Sequence, residues 1–163
     1  MEVKDLINTL KNSKDTSYLN IENTILESLN VLTKEEQHSN VINWIIKEVR
    51  NEANESLLLN EIILKFKLPE YLLKEPPLEI VREKPSRHGR IDLYIKWENY
   101  TLLLENKVLS REHDDQCKWY LSDFKIKVNN GKIIYLTLSG GTPKSLEESD
   151  SRLIALSYGD LIT

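Results

Sequence analysis

The sequence predicts an α/β or α+β fold: one mixed central β-sheet flanked by helices, with a helical N-terminal part. Two observations carry this. Over residues 1–70 apolar positions recur at helical spacing, whereas from residue 78 onward they fall into short β-rich runs. The resulting order is helices, three strands, a helix and two further strands, which gives a single mixed sheet rather than separate helical and β domains.

Taken in order, "IENTILESLNVL" places Ile21, Ile25, Leu26, Leu29 and Leu32 on one helical stripe. Thr33 then reads as the N-cap of a second helix, "KEEQHSNVINWIIKEV", with Glu36 three residues on to complete a capping box. "NESLLLNEIILKFKL" gives a third helix, which the three prolines in and around "LPEYLLKEPP" bring to a stop. The strands follow as "LEIVREK", "RIDLYIKW" and "TLLLENKV"; "HDDQCKWYLSDFKIKV" returns to helix; "KIIYLTLS", ended by the breaker "GGTP", and "RLIALSY" are the last two strands. "SYGDLIT" ends the chain where a further helix would start, so the C-terminus is expected to be truncated. With 163 residues there is room for one ordinary domain: residues 1–70 mainly helical, 78–163 the sheet core with one helix.

Composition narrows the function classes. The single cysteine, Cys117, can form neither an internal disulfide nor a cysteine zinc site, which favours a reducing compartment. No apolar run reaches the length of a membrane span, and the sequence after Met1 is not that of a signal peptide, so a cytoplasmic protein with no membrane partner is expected. The net charge of -4 gives no global basic field. Locally, "VREKPSRHGR" gathers Arg82, Lys84, Arg87, His88 and Arg90 just ahead of Asp92, either as a solvated basic loop or as contacts to phosphate.

The informative stretch is "GRIDLYIKWENYTLLLENK", two strands and a turn. With Glu98-Asn99 as a two-residue loop, Trp97 faces Tyr100 and paired positions sum to 197, which sets Asp92 opposite Glu105. A three-residue loop would shift the register and separate them. Opposed like charges cost on the order of 0.2–1 kcal/mol in a sheet, so something must offset them. The strand period of two puts Lys107 on the face of Glu105, while Leu102, Leu104 and Asn106 point the other way. Two carboxylates with an ammonium beside them suit a hard divalent cation such as Mg²⁺, which takes oxygen ligands, and the lysine would then orient a water or hold charge developing on a phosphate. The plain alternative is an edge hairpin whose acids face solvent and pair with Lys96 or Lys107, but the leucine run into Glu105 reads as a buried central strand.

"GRIDLYI", "LLLENK" and "DDQCKWY" together resemble the PD-(D/E)XK nuclease superfamily, in the prokaryotic branch whose signature runs G-R-I-D, E-N-K, Q-x-x-x-Y. The resemblance implies a restriction-endonuclease-like fold, Asp92 and Glu105 as metal ligands, Lys107 as the catalytic lysine, and the carbonyl of Asn106 completing the metal shell. Ile91 stands where the superfamily name has proline, a position that varies. Gln116 and Tyr120 match Q-x-x-x-Y and share a helix face, Gln116 as a contact to substrate or metal water, Tyr120 either at the cleft or as a core aromatic. "EEQHSNVINWII" resembles the family's first-helix motif. It implies Glu35 as a third acid, with Glu36 the adjacent alternative and His38 better read as a core histidine. Glu83 is a weaker candidate, also explained by a surface pair with Arg82 or Lys84.

The expectation is therefore an Mg²⁺- or Mn²⁺-dependent nuclease acting on DNA rather than RNA. Asp92, Glu105, Lys107 and Glu35 are its catalytic set; Gln116, Tyr120, Arg90 and His88 are its substrate contacts. A homodimer would bring two sites to the two strands of a duplex. The alternatives are a catalytically silent module that keeps the fold for binding, and a partner-binding domain anchored by Trp44, Trp97 and Trp119.

Overall fold

In the computed structural model, which describes residues 34–162, five strands lie side by side in chain order: β1 (Glu79–Ser86), β2 (Gly89–Lys96), β3 (Thr101–Lys107), β4 (Gly131–Thr137) and β5 (Leu153–Ser157). β1, β2 and β3 form an antiparallel meander, and β3, β4 and β5 run parallel, so the sheet is mixed as expected. Parallel pairing requires crossovers. Helix α3 (Gln116–Asp123) supplies the one from β3 to β4. Helices α1 (Glu35–Glu48) and α2 (Leu57–Lys65), a 3₁₀ turn (Glu70–Leu73) and the short helix α4 (Tyr158–Ile162) are the other elements of the described residues.

The expected stripe at Ile21–Leu32 and the cap at Thr33 lie outside the described residues. The N-cap position of α1 is held by Lys34, whose side chain makes no capping bond, and Glu36 reaches Arg82 at 3.7 Å. α2 starts on a conventional cap, Ser56, whose hydroxyl oxygen accepts from the N–H of Leu59 at 3.3 Å. Among the described residues no helix is long and apolar enough to cross a membrane.

Each face of the sheet carries its own apolar layer. Leu93, Ile95, Leu102, Leu104, Ile134 and Leu136 pack with Ile42 and Ile46 of α1 and Leu59 and Ile62 of α2. On the other face Leu103, Ile133 and Tyr135 pack with Cys117, Tyr120 and Leu121 of α3. All seven residues of β3 are buried, as the leucine run anticipates for a strand covered on both faces. Trp97 belongs to the first layer, fully buried, with its indole N–H donated to the carbonyl of Glu75 at 2.9 Å. It therefore cannot anchor a partner; of the three tryptophans, Trp44 is the openly exposed one, at 46%.

The alternation of β2 breaks once. Leu93 and Ile95 belong to the α1/α2 layer, yet Ile91, two residues earlier, belongs to the α3 layer. The break coincides with a gap in the β1–β2 ladder, which runs Arg82↔Leu93 and resumes at Lys84↔Ile91. Glu83, inside the gap, has φ of 52°, a left-handed conformation that non-glycine residues seldom adopt. Asp92 is the residue opposite it.

Candidate active site

The β2–β3 hairpin closes as its sequence demands. Trp97 donates its N–H to the carbonyl of Tyr100 at 2.8 Å, and the ladder runs Lys96↔Thr101, Ile95↔Leu102, Tyr94↔Leu103 and Leu93↔Leu104, the expected sum of 197. It stops one pair short of Asp92 and Glu105. The reason is chemical: Oδ2 of Asp92 accepts the N–H of Asn106 at 2.8 Å, so a side-chain oxygen takes the donor that a main-chain carbonyl would otherwise engage. The expected flat opposition of the two acids is replaced by this bond, which holds Asp92 between the strands.

Glu105 and Lys107 share the α3 face, with Nζ of Lys107 at 2.9 Å from Oε1 of Glu105 and both side chains buried. Oε2 of Glu105 is buried with no hydrogen-bond partner. Burial, then the charge of Asp92, pushes the Glu105 carboxyl up to about 8, despite Lys107. Asp92 is raised as well, by burial first and by Glu35 and Glu83, against the pull of the Asn106 N–H and Lys107. Burial works to lower Lys107, but the carboxylates of Glu105, Glu35 and Asp92 outweigh it and hold the ammonium above its ordinary range. The acids are thus crowded and under-solvated, with one cation among them.

Asn106 points to the opposite face. Its amide donates to the carbonyl of Glu35 at 3.1 Å and to Oγ of Ser39 at 3.2 Å, and its Oδ1 accepts the hydroxyl of Tyr158 at 2.6 Å. One side chain thereby ties β3 to α1 and α4. Glu35 does lie on the inner side of α1, where its Oε1 accepts from the N–H of Val108 (2.9 Å) and from the N–H and hydroxyl of Ser110 (3.1 and 2.7 Å). Burial raises its pKa, but the Ser110 and Val108 bonds outweigh that and keep it low. All three bonds fall on Oε1; Oε2 takes none of them. Glu36, the alternative, points outward with 63% of its side chain exposed. His38 is buried, edge-on to Tyr158 at 5.5 Å between ring centroids, so it lies in the core, but its Nε2 is buried with no hydrogen-bond partner.

Gln116 and Tyr120 meet as their spacing requires: the amide of Gln116 donates to the Tyr120 hydroxyl at 2.8 Å, which donates to the carbonyl of Arg90 at 2.8 Å. Tyr120 is therefore a core aromatic with a satisfied hydroxyl that also fixes the start of β2, whereas Oε1 of Gln116 is buried without a partner. Gly89, at φ of 144°, lets β2 begin here, and an added Cβ would lie 3.2 Å from the Tyr120 oxygen. Arg90 extends outward and pairs with Glu83 at 3.2 Å, and Glu83 also meets Arg82 at 3.3 Å, the surface pairing allowed for it. His88 is not at the acids. It stacks on Trp119 at 4.9 Å, and its Nδ1 lies 3.0 Å from Oδ2 of Asp123.

One residue that sequence reasoning misses is Glu112. Its Oε1 accepts from the N–H of Cys117 (2.7 Å) and the hydroxyl of Ser145 (2.5 Å), and its Oε2 accepts the N–H of Ser145 (2.8 Å). These bonds hold its pKa low against burial and clasp the loop after β3 to the loop after β4. No local pattern marks it, because one of its two partners, Ser145, is 33 residues away.

Among the described residues no group of three or more His, Cys, Asp and Glu side chains is placed to hold a metal ion. The donor set is nonetheless suited to one: two carboxylates that resist ionising together, one with a buried oxygen lacking any partner, match a hard cation that keeps its other positions for water and phosphate.

No curated protein matches the chain. Among solved structures, a repair endonuclease from Pyrococcus abyssi is similar at 25% sequence identity, over 55% of this chain and 38% of that one, with a TM-score of 0.29. The family model of the PD-(D/E)XK nuclease superfamily matches residues 23–163, a span that contains the whole sheet and both of its helical layers, and the chain belongs to that superfamily.

Proposed function

We propose that the protein is a metal-dependent nuclease that hydrolyses phosphodiester bonds, with DNA as substrate. The observation that carries this is the buried Glu105–Lys107 pair beside Asp92 at the end of β3. Asp92, Glu105 and the main-chain carbonyl of Asn106 would hold Mg²⁺ or Mn²⁺, with Glu35, whose Oε1 is taken by Val108 and Ser110, as a further carboxylate. A divalent cation there supplies Lewis-acid polarisation of a phosphate oxygen and acidifies water. The remaining chemistry belongs to the chain. Nζ of Lys107, held by Glu105, orients the attacking water and stabilises charge developing on the phosphate. Asp92 is kept in place by the Asn106 N–H. Water adds its oxygen to phosphorus, the bond to the bridging oxygen breaks, and that oxygen leaves with a proton. Arg90, 65% exposed on its side chain, would contact a backbone phosphate in exchange for its pairing with Glu83.

The test is cleavage of plasmid and of single-stranded DNA with Mg²⁺, Mn²⁺ or EDTA. Lys107→Ala and Asp92→Ala should each lower the rate by about 10²–10⁴-fold, and cleavage surviving both substitutions would sink the assignment. A silent binding module has one feature in its favour, the engagement of Glu35 by Val108 and Ser110. It predicts no rise in melting temperature with Mn²⁺, whereas the nuclease reading predicts a rise that Asp92→Asn abolishes.

A further inference from the structure

We propose that the cleft beside Lys107 takes an unpaired nucleic-acid strand, so that the substrate is single-stranded or frayed rather than an intact duplex. The inference rests on the nuclease reading for its class of ligand and goes beyond it in naming the form. The cleft, of about 800 Å³, opens between the loops that follow β3 and β4. It lies outside the carboxyl ends of two adjacent parallel strands, where open α/β sheets commonly hold ligands. Its volume is within the ~300–1,000 Å³ that encloses a ligand of a few rings.

Two kinds of side chain in the lining bear on the ligand. Lys107, Arg111 and Lys144 give it three cations in a protein whose net charge is -4. The acid in its wall, Glu112, is consumed by Ser145 and the Cys117 N–H and fixes the two loops in place. Leu109 and Leu138, one on each loop, are 67% and 54% exposed, large apolar groups standing in water beside cations. A duplex offers phosphates to the cations but keeps the faces of its bases stacked inside. An unpaired strand offers both at once, with base faces against the leucines and phosphates against Arg111 and Lys144. The cleft includes Lys107, the partner of Glu105, so a strand lying in it passes the lysine of the site.

The measurement is fluorescence anisotropy in EDTA, with a labelled oligothymidine and a blunt duplex of equal length as probes. The single strand should bind about tenfold or more tightly than the duplex. Arg111→Ala with Lys144→Ala should weaken single-strand binding and reduce the salt slope by about 1.4, roughly 0.7 for each lost phosphate contact. Leu109→Ser with Leu138→Ser should weaken it about tenfold and leave the slope unchanged. All four side chains are exposed, so the variants should melt like the native chain, and Lys144→Glu serves as an independent charge reversal. Duplex bound as tightly as single strand, or binding indifferent to both pairs, would overturn the proposal. Metal-dependent cleavage that ignores all four substitutions would overturn it while the nuclease reading stood. Binding as described without any cleavage would support the cleft and count against the nuclease.

Discussion

Replacing Glu105 with glutamine removes the carboxylate that the fold most resists ionising. Its pKa moves from the ordinary 4.5 to about 8 in the folded chain, while the unfolded chain keeps the ordinary value. The native state therefore binds this proton more strongly than the unfolded state does. The group's contribution is fully present below 4.5 and is lost as pH rises through about 8. At ~1.36 kcal/mol for each pH unit, the loss across the interval from 4.5 to about 8 comes to about 5 kcal/mol. With 3% of the side chain exposed, solvent screening takes little from that figure. Glutamine has no such proton, so the native chain should weaken relative to Glu105→Gln by about 4 kcal/mol between about pH 5 and 8. The substitution also deprives Lys107 of its partner, which offsets the two curves but leaves their divergence. Urea unfolding in EDTA across that range measures it. Curves that stay parallel from pH 5 to 8 would refute the reasoning, and so would a native chain that gains on the variant as pH rises. Mn²⁺ added at pH 8 should restore much of the loss to the native chain and little to the variant, because a bound cation relieves the same repulsion.

The scaffold can be tested away from the acids. Tyr158→Phe strips the hydroxyl from Oδ1 of the fully buried Asn106 and should cost about 1–3 kcal/mol in urea unfolding, with the melting cooperativity unchanged. At Gly131 an added Cβ would collide with the carbonyl oxygen of Thr101 and lie 3.2 Å from the Ile126 side chain, so Gly131→Ala should destabilise by about 1–3 kcal/mol; a neutral result would mean that β4 can shift against β3.

Much of this site was legible in the sequence because it depends on local rules. The two-residue turn set the hairpin register, and the period of two set Glu105 and Lys107 on one face, where they pair. The leucine run announced a strand covered on both sides. What escaped depends on long-range partners. The ladder ends before Asp92 because a carboxylate competes for a main-chain N–H, and no periodicity encodes that competition. Glu35, at the start of α1, is held by the Ser110 loop and by Asn106, partners 75 and 71 residues away. Glu112 draws its role from a loop that folds back from beyond β4, and Trp97 looks like an interface anchor until Glu75 is seen to take its N–H.

The break in the alternation of β2 explains how a sheet with two dry faces tolerates an acid near its middle. Ile91 packs in the α3 layer and Leu93 in the α1/α2 layer, with Tyr94 again against the α3 layer, so Asp92 stands where the alternation breaks and belongs to neither cluster. Repairing the break, so that position 92 were forced onto a face, would convert the same aspartate from a tolerated resident into a hole in the core.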